Sequence, residues 1–188
     1  MNKTKNILIS GYYGFNNAGD ELVLQEIIRG LSSLDENNKI TVLSAAPKLT
    51  STKYDVESVN RWEISKVLNS ILKTDYLISG GGSLLQDKTS KNGILYYLGI
   101  ILVGRIFRKK IIIFSQGIGP VTSKRNIFLL KNIISLADYI SVRDKDSFEF
   151  LKRIGVKKEI VLSGDPVFLI SSIDGDKQKR LWKQCGLE

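Results

Sequence analysis

The chain is punctuated by short runs of Ile, Leu and Val that stop at a serine, followed by glycines or a charged turn. These are "NILIS" before "GYYG", "YLIS" before "GGGS", "IIIFS" before "QGIGP", "YIS" before "VRD" and "IVLS" before "GDP". Runs that are apolar at successive positions belong to strands covered on both faces, and amphipathic stretches of helical length lie between them. The pattern predicts an α/β, Rossmann-like fold, a parallel sheet with helices on both faces. Strands are expected near 6–10, 40–44, 76–79, 111–115, 139–142 and 160–163, and helices near 19–33, 63–73, 93–107, 124–137 and 145–153. In an open parallel sheet the carboxyl ends of the strands share one edge, and ligands bind there. All five punctuated stretches should therefore line one crevice.

Composition narrows the class. The 188 residues, 43% apolar and 25% charged, are enough for one good core. A single cysteine, Cys185, cannot form an internal disulfide, and the N-terminus lacks the apolar length of a signal sequence, so a cytoplasmic home is expected. The net charge of +9 suits an anionic partner: a phosphate-bearing substrate or the inner face of a membrane. No RNA-binding aromatic signature or zinc-finger spacing is present, and nucleic acid is not expected. The most apolar segment, "GILYYLGIILVGRIF" at 93–107, is interrupted by Gly99, Gly104 and Arg105 and is too short to span a bilayer. A buried core helix is expected there, with shallow membrane contact through it and Arg108, Lys109 and Lys110 as the alternative.

The loops carry the chemistry. "GYYGFNNAGDE", residues 11–21, departs in spacing from the dinucleotide fingerprint, so a plain Rossmann cofactor site is disfavoured and no cofactor is expected. Gly14 and Gly19 permit backbone geometry closed to other residues, Asn16 and Asn17 offer amides, and Asp20 suits either a helix cap or a ligand contact. For Glu21, complementing the helix dipole is the expected role. In "SGGGSLLQD", Gly81, Gly82 and Ser83 can present donors to an anion. Gln116 is the polar side chain of "SQGIGP". Arg143, in "SVRD", ends a strand; it can pair with Asp144 or Asp146, or grip a carboxylate or phosphate with two parallel hydrogen bonds. Asp165, in "SGDP", is read first as a turn residue. With no histidine in the chain, neither His-based proton transfer nor a His-ligated metal is available, and no metal site is expected.

In this order, one per strand end, these five motifs resemble the N-terminal half of the polysaccharide pyruvyl transferase family, most like its CsaB branch, over about residues 6–170. The resemblance implies a two-domain enzyme of the GT-B type that moves a pyruvyl group from phosphoenolpyruvate onto two hydroxyls of a sugar, forming a cyclic ketal and releasing phosphate. It implies an N-acetylmannosamine-type acceptor in a cell-wall polysaccharide or its lipid-linked precursor, where the ketal anchors surface-layer proteins. It also implies that Arg143 contacts the donor, and that a histidine and further basic residues come from a C-terminal domain. On this reading residues 1–170 form the N-terminal domain, and 171–188 a linker and the start of a truncated second domain, so the 188 residues alone are expected to be inactive. Two other readings stand beside it: a GT-B-type glycosyltransferase using a nucleotide sugar, and a non-catalytic domain that binds a sugar or an anion.

Overall fold

The computed structural model describes residues 4–88 and 93–169. Seven strands form one sheet: β1 (Asn6–Ser10), β2 (Lys39–Ser44), β3 (Glu57–Asn60), β4 (Tyr76–Gly80), β5 (Lys110–Gln116), β6 (Tyr139–Val142) and β7 (Val161–Leu162). Every neighbouring pair is parallel, in the order β3-β2-β1-β4-β5-β6-β7. Six helices connect them: α1 (Ala18–Leu34), α2 (Pro47–Tyr54), α3 (Ile64–Lys73), α4 (Gly93–Ile106), α5 (Lys124–Ile134) and α6 (Lys145–Arg153), and a 3-10 turn follows at Pro166–Leu169.

Alternation along the central strands explains the layers. Ile7 and Ile9 of β1 pack with Leu24 and Ile27 of α1, while Leu8 between them packs with Val67 and Ile71 of α3 and Ile100 of α4. Beyond β4, Ile111, Ile113 and Ile140 join Leu98 and Ile101 of α4, Leu130 and Ile134 of α5 and Leu151 of α6. Both faces of the sheet are thus covered, which is why its strands read as unbroken apolar runs.

The chain leaves β1 outward to β2 and β3, then returns to β4 on the other side of β1. That reversal opens a crevice at the carboxyl ends of β1 and β4, the topological switch point.

The expected strands and long helices are present, with ends that differ by a few residues; α5 stops at Ile134, and β7 is only Val161–Leu162. Two elements were not expected. α2, "PKLTSTKY", has no apolar period, and β3, "ESVN", is a four-residue edge strand without a buried position. α4 is a core helix that buries Ile94, Tyr97, Leu98, Ile100, Ile101 and Gly104. Among the described residues no helix is long and apolar enough to cross a membrane. The linker and second-domain start expected at 171–188 lie outside the described residues.

Candidate functional site

A cleft of about 760 Å³ sits at the switch point, within the size range of small-molecule sites. Its walls come from the loop after β1 and the start of α1, from the residues after β3 and β4, from α4, and from the ends of β6 and β7.

The β1 loop is fixed from below. Tyr13 is buried and donates its hydroxyl to the Gly80 carbonyl at 2.6 Å, tying the ends of β1 and β4 together. The Gly14 amide donates to Glu21 at 2.9 Å, and the Tyr54 hydroxyl donates to the other oxygen of the same carboxylate at 2.6 Å. Glu21 therefore staples the loop to α1 and α2, a role beyond complementing the helix dipole. Asn17 caps α1, accepting from the Gly19 and Asp20 amides at 3.0 and 3.3 Å. Gly14 takes a left-handed backbone at φ 78°, as expected, whereas Gly19 lies inside α1 and does not.

Asp20 follows the cap and lines the cleft. Burial pushes its carboxyl up to about 6, with Glu21 adding to the rise and Arg143 opposing it. Gly82, at φ 69°, accommodates this carboxylate: a Cβ there would stand 2.2 Å from the Asp20 Oδ1.

Arg143, at the end of β6, is held on three sides. Nη2 donates to the Ser83 hydroxyl at 2.9 Å, Nη1 donates to Asp165 at 3.1 Å, and Nε stands 3.5 Å from Asp144. Asp144 also caps α6 through the Ser147 amide, and Asp165 accepts from the Val167 amide. Asp165 is thus both the turn residue expected and a partner of Arg143. A guanidinium has five N–H donors, so three contacts leave two for a ligand.

The opposite wall is aromatic, and its signal was missed in the sequence. Arg61, just after β3, is only 4% exposed. Its guanidinium lies 4.4 Å from the Tyr96 ring centre, 5.1 Å from Trp62, 5.2 Å from Phe15 and 5.3 Å from Tyr97. Each such contact contributes about 0.5–2 kcal/mol, more as water is excluded. Nη1 donates to the Gly11 carbonyl at 2.8 Å and Nη2 to the Tyr97 hydroxyl at 3.2 Å, while the buried Nε has no partner among the described residues. Four aromatics spaced around an arginine, "YYGF" far from "NRW" and "YY", form no motif readable along the chain.

Of the residues singled out in the sequence, Asn17, Asp20, Gly82, Ser83 and Arg143 line this cleft together. Asn16, at φ 58°, instead faces a smaller cavity shared with Glu21, Thr50 and Lys53. Gly81 does not line the cleft: its amide donates to the Phe114 carbonyl, and its α-carbon abuts Val23 of α1. Gln116 is fully buried and accepts from Ser79 at 3.2 Å. The rest of its loop, Gly117 to Pro120, lines a separate depression with Asp146 and Phe150, so four of the five punctuated stretches share the cleft rather than all five. Nor is the chain's positive excess gathered here, since Arg61 and Arg143 stand against Asp20 and Asp165. Among the described residues no cluster of three His, Cys, Asp or Glu side chains could hold a metal ion.

The architecture is shared with solved structures. It is similar to Anabaena Alr3699/HepE in complex with UDP and glucose, with a TM-score of 0.61 and 13% identity, over 97% of this chain and 50% of that one. It is also similar to a S. aureus MnaA–UDP structure, with a TM-score of 0.55 and 14% identity, over 92% and 48%. A ribokinase-like superfamily protein from Enterococcus faecalis matches at TM-score 0.52 and 11% identity, over 85% and 57%. At these identities the likeness is one of fold, and the chain spans about half the length of the structures it matches. None of the curated proteins matches its sequence. Residues 17–185, most of the chain, match the family model described as polysaccharide pyruvyl transferase, and the chain therefore belongs to that transferase family.

Proposed function

We propose that this chain forms the N-terminal half of a GT-B-type enzyme that transfers a pyruvyl group from phosphoenolpyruvate to a sugar, of the N-acetylmannosamine type in a cell-wall polysaccharide or its lipid-linked precursor. The observation that carries the reading is Arg143, which lines the cleft, is fixed by Ser83, Asp144 and Asp165, and has two N–H groups beyond these three contacts. Such a group fits a carboxylate or phosphate in the planar, two-pronged way that lysine cannot. Phosphoenolpyruvate carries both anions. The described cleft balances two arginines with two aspartates, so the donor's charge calls for further cations, which this reading assigns to a second domain.

In the reaction the donor's methylene carbon takes a proton, C2 becomes electrophilic, and a sugar hydroxyl oxygen bonds to C2. The C2–O bond to phosphate breaks, a second hydroxyl closes the ketal, and the two hydroxyl protons are balanced by the one now on carbon and the one leaving with phosphate. Arg143 steadies the donor and the departing phosphate. Asp20, whose carboxyl burial raises to about 6, is the side chain to which this reading assigns a hydroxyl proton at neutral pH.

Titrating phosphoenolpyruvate against the full-length protein tests the reading. Arg143→Ala should weaken donor binding ten- to a hundredfold, equivalent to about 1.5–3 kcal/mol. Arg143→Lys should restore part of the loss. Unchanged affinity in the alanine variant, with the fold intact, removes Arg143 from the donor site. Nucleotide-sugar transfer is the second reading, favoured by the fold shared with the UDP-bound structures; release of a nucleoside diphosphate instead of phosphate would identify it.

The reading includes contact with the inner face of the membrane. Ile64, Leu68 and Leu72 form an exposed apolar stripe along α3, and Leu102, Ile106 and Phe107 expose a second beside it at the end of α4. Lys66, Lys73, Arg105, Arg108 and Lys109 are interspersed with or adjoin them along the chain, and Lys109 reaches the Leu72 carbonyl at 2.7 Å, a composition that suits an anionic lipid surface.

A further inference from the structure

The aromatic wall has no role in the donor chemistry above, yet it is the more elaborately built half of the cleft. Arg61 is a buried cation, and among the described residues it has no carboxylate partner. A fold that only needed to close this corner could fill it with aliphatic side chains. Instead the guanidinium sits among Phe15, Trp62, Tyr96 and Tyr97 and fixes their attitudes. Of the rings around it Tyr97 is buried and Phe15 and Tyr96 are half-buried, but the outer edge of the wall stays open. Trp62 remains 62% exposed and Tyr12 40% exposed, with Tyr12 stacked on Phe15 at 4.1 Å and 9°. A rigid, open aromatic surface beside a carboxylate, Asp20, has the character of a ligand wall: apolar faces for contact and a few polar groups for orientation.

We propose that this wall is the acceptor subsite, where a pyranose ring lays its C–H face against Trp62 and the Tyr12–Phe15 pair with its hydroxyls toward Asp20, and that Arg61 is the positioning residue holding the rings. The enzymatic part of the proposal rests on the pyruvyl transfer reading; the binding part does not. A nucleobase also stacks on aromatic rings. The geometry points away from it: Trp62 and Tyr96 are inclined at 52° and Tyr12 and Phe15 stack directly on each other, so neither of these pairs encloses a slot for a flat base. A puckered sugar suits an angled wall.

The test uses the full-length protein and three probes: the methyl glycoside of N-acetylmannosamine, phosphoenolpyruvate and uridine diphosphate. Saturation-transfer NMR on the wild type should show the glycoside receiving magnetisation from aromatic protons, and Trp62→Ala should abolish the signal while phosphoenolpyruvate affinity stays within twofold. In turnover, Trp62→Ala should raise the acceptor KM at least tenfold with a much smaller change in the donor KM. Arg61→Met should do the same, and Arg61→Lys, which keeps the cation among the rings, should recover part of the acceptor KM. That recovery separates positioning from a simple loss of stability. Glycoside binding that survives Trp62→Ala, or uridine diphosphate displacing the glycoside from the wall, overturns the proposal. If phosphoenolpyruvate fails to bind while the glycoside still binds through Trp62, the pyruvyl reading is lost and the saccharide subsite stands.

Discussion

Asp20 shows how one side chain can serve the site at the expense of the fold. Its carboxyl is raised from 3.8 to about 6, chiefly by burial, so the folded chain holds this proton more tightly than the unfolded chain does. The native state thus binds more protons between these values, and stability from this residue falls as pH rises from about 4 to about 6 and stays lowered above. Asp20→Asn should remove that fall and raise stability at pH 7 by on the order of 1 kcal/mol, the full linkage figure being reduced because solvent reaches the carboxyl. Thermal unfolding of both forms from pH 4 to 8 checks it; curves that run parallel would show that Asp20 is not the group under stress. Pyruvyl transfer by the full-length variant should fall at the same time. Asn17, Asp20 and Arg143 were legible in the sequence because each lies in a polar stretch that follows an apolar run ending in serine. Arg61 was not, since its significance comes from rings brought together across 82 residues from Phe15 to Tyr97.

At the scale of elements, two capping and bridging groups hold the cleft's loops. Asn17→Ala should cost about 1 kcal/mol through the lost cap of α1, measurable by denaturant unfolding, and should loosen Asp20 with it. Asp87 does comparable work on the other side of the sheet. It is 6% exposed and accepts from the Thr122 amide at 2.9 Å, the Ser123 amide at 3.0 Å and the Asn126 side chain at 3.1 Å, fastening the loop after β4 to the start of α5. Asp87→Ala should destabilise by on the order of 2–3 kcal/mol, since buried donors lose their acceptor. A loss below about 0.5 kcal/mol would mean that water replaces the carboxylate there. The helices and central strands were legible because burial on both faces leaves an apolar record in the chain. α2 and β3 were not: a polar helix and a short edge strand have little to bury, and tertiary pairing with β2 decides them.

For the whole molecule, the apolar and basic face of α3 and α4 makes the membrane contact testable. The full-length protein should co-float with vesicles containing phosphatidylglycerol and much less with neutral phosphatidylcholine, and Leu72→Glu with Ile106→Glu should abolish flotation without lowering Tm. Equal flotation on both lipids, or self-association lost in the double variant, would assign the face to another partner. Topology has a further consequence, in the order of synthesis. β1 is made before the other strands of this sheet yet ends in its middle, while Asp165, which steadies Arg143, comes more than 150 residues later. A nascent chain can carry both walls of the aromatic corner, through Tyr97, well before it carries the arginine of the opposite wall. On the proposed assignments, a growing polypeptide would complete its sugar wall before its anion grip, and a translation stop between Arg143 and Asp165 would yield a product with the first and a slackened form of the second.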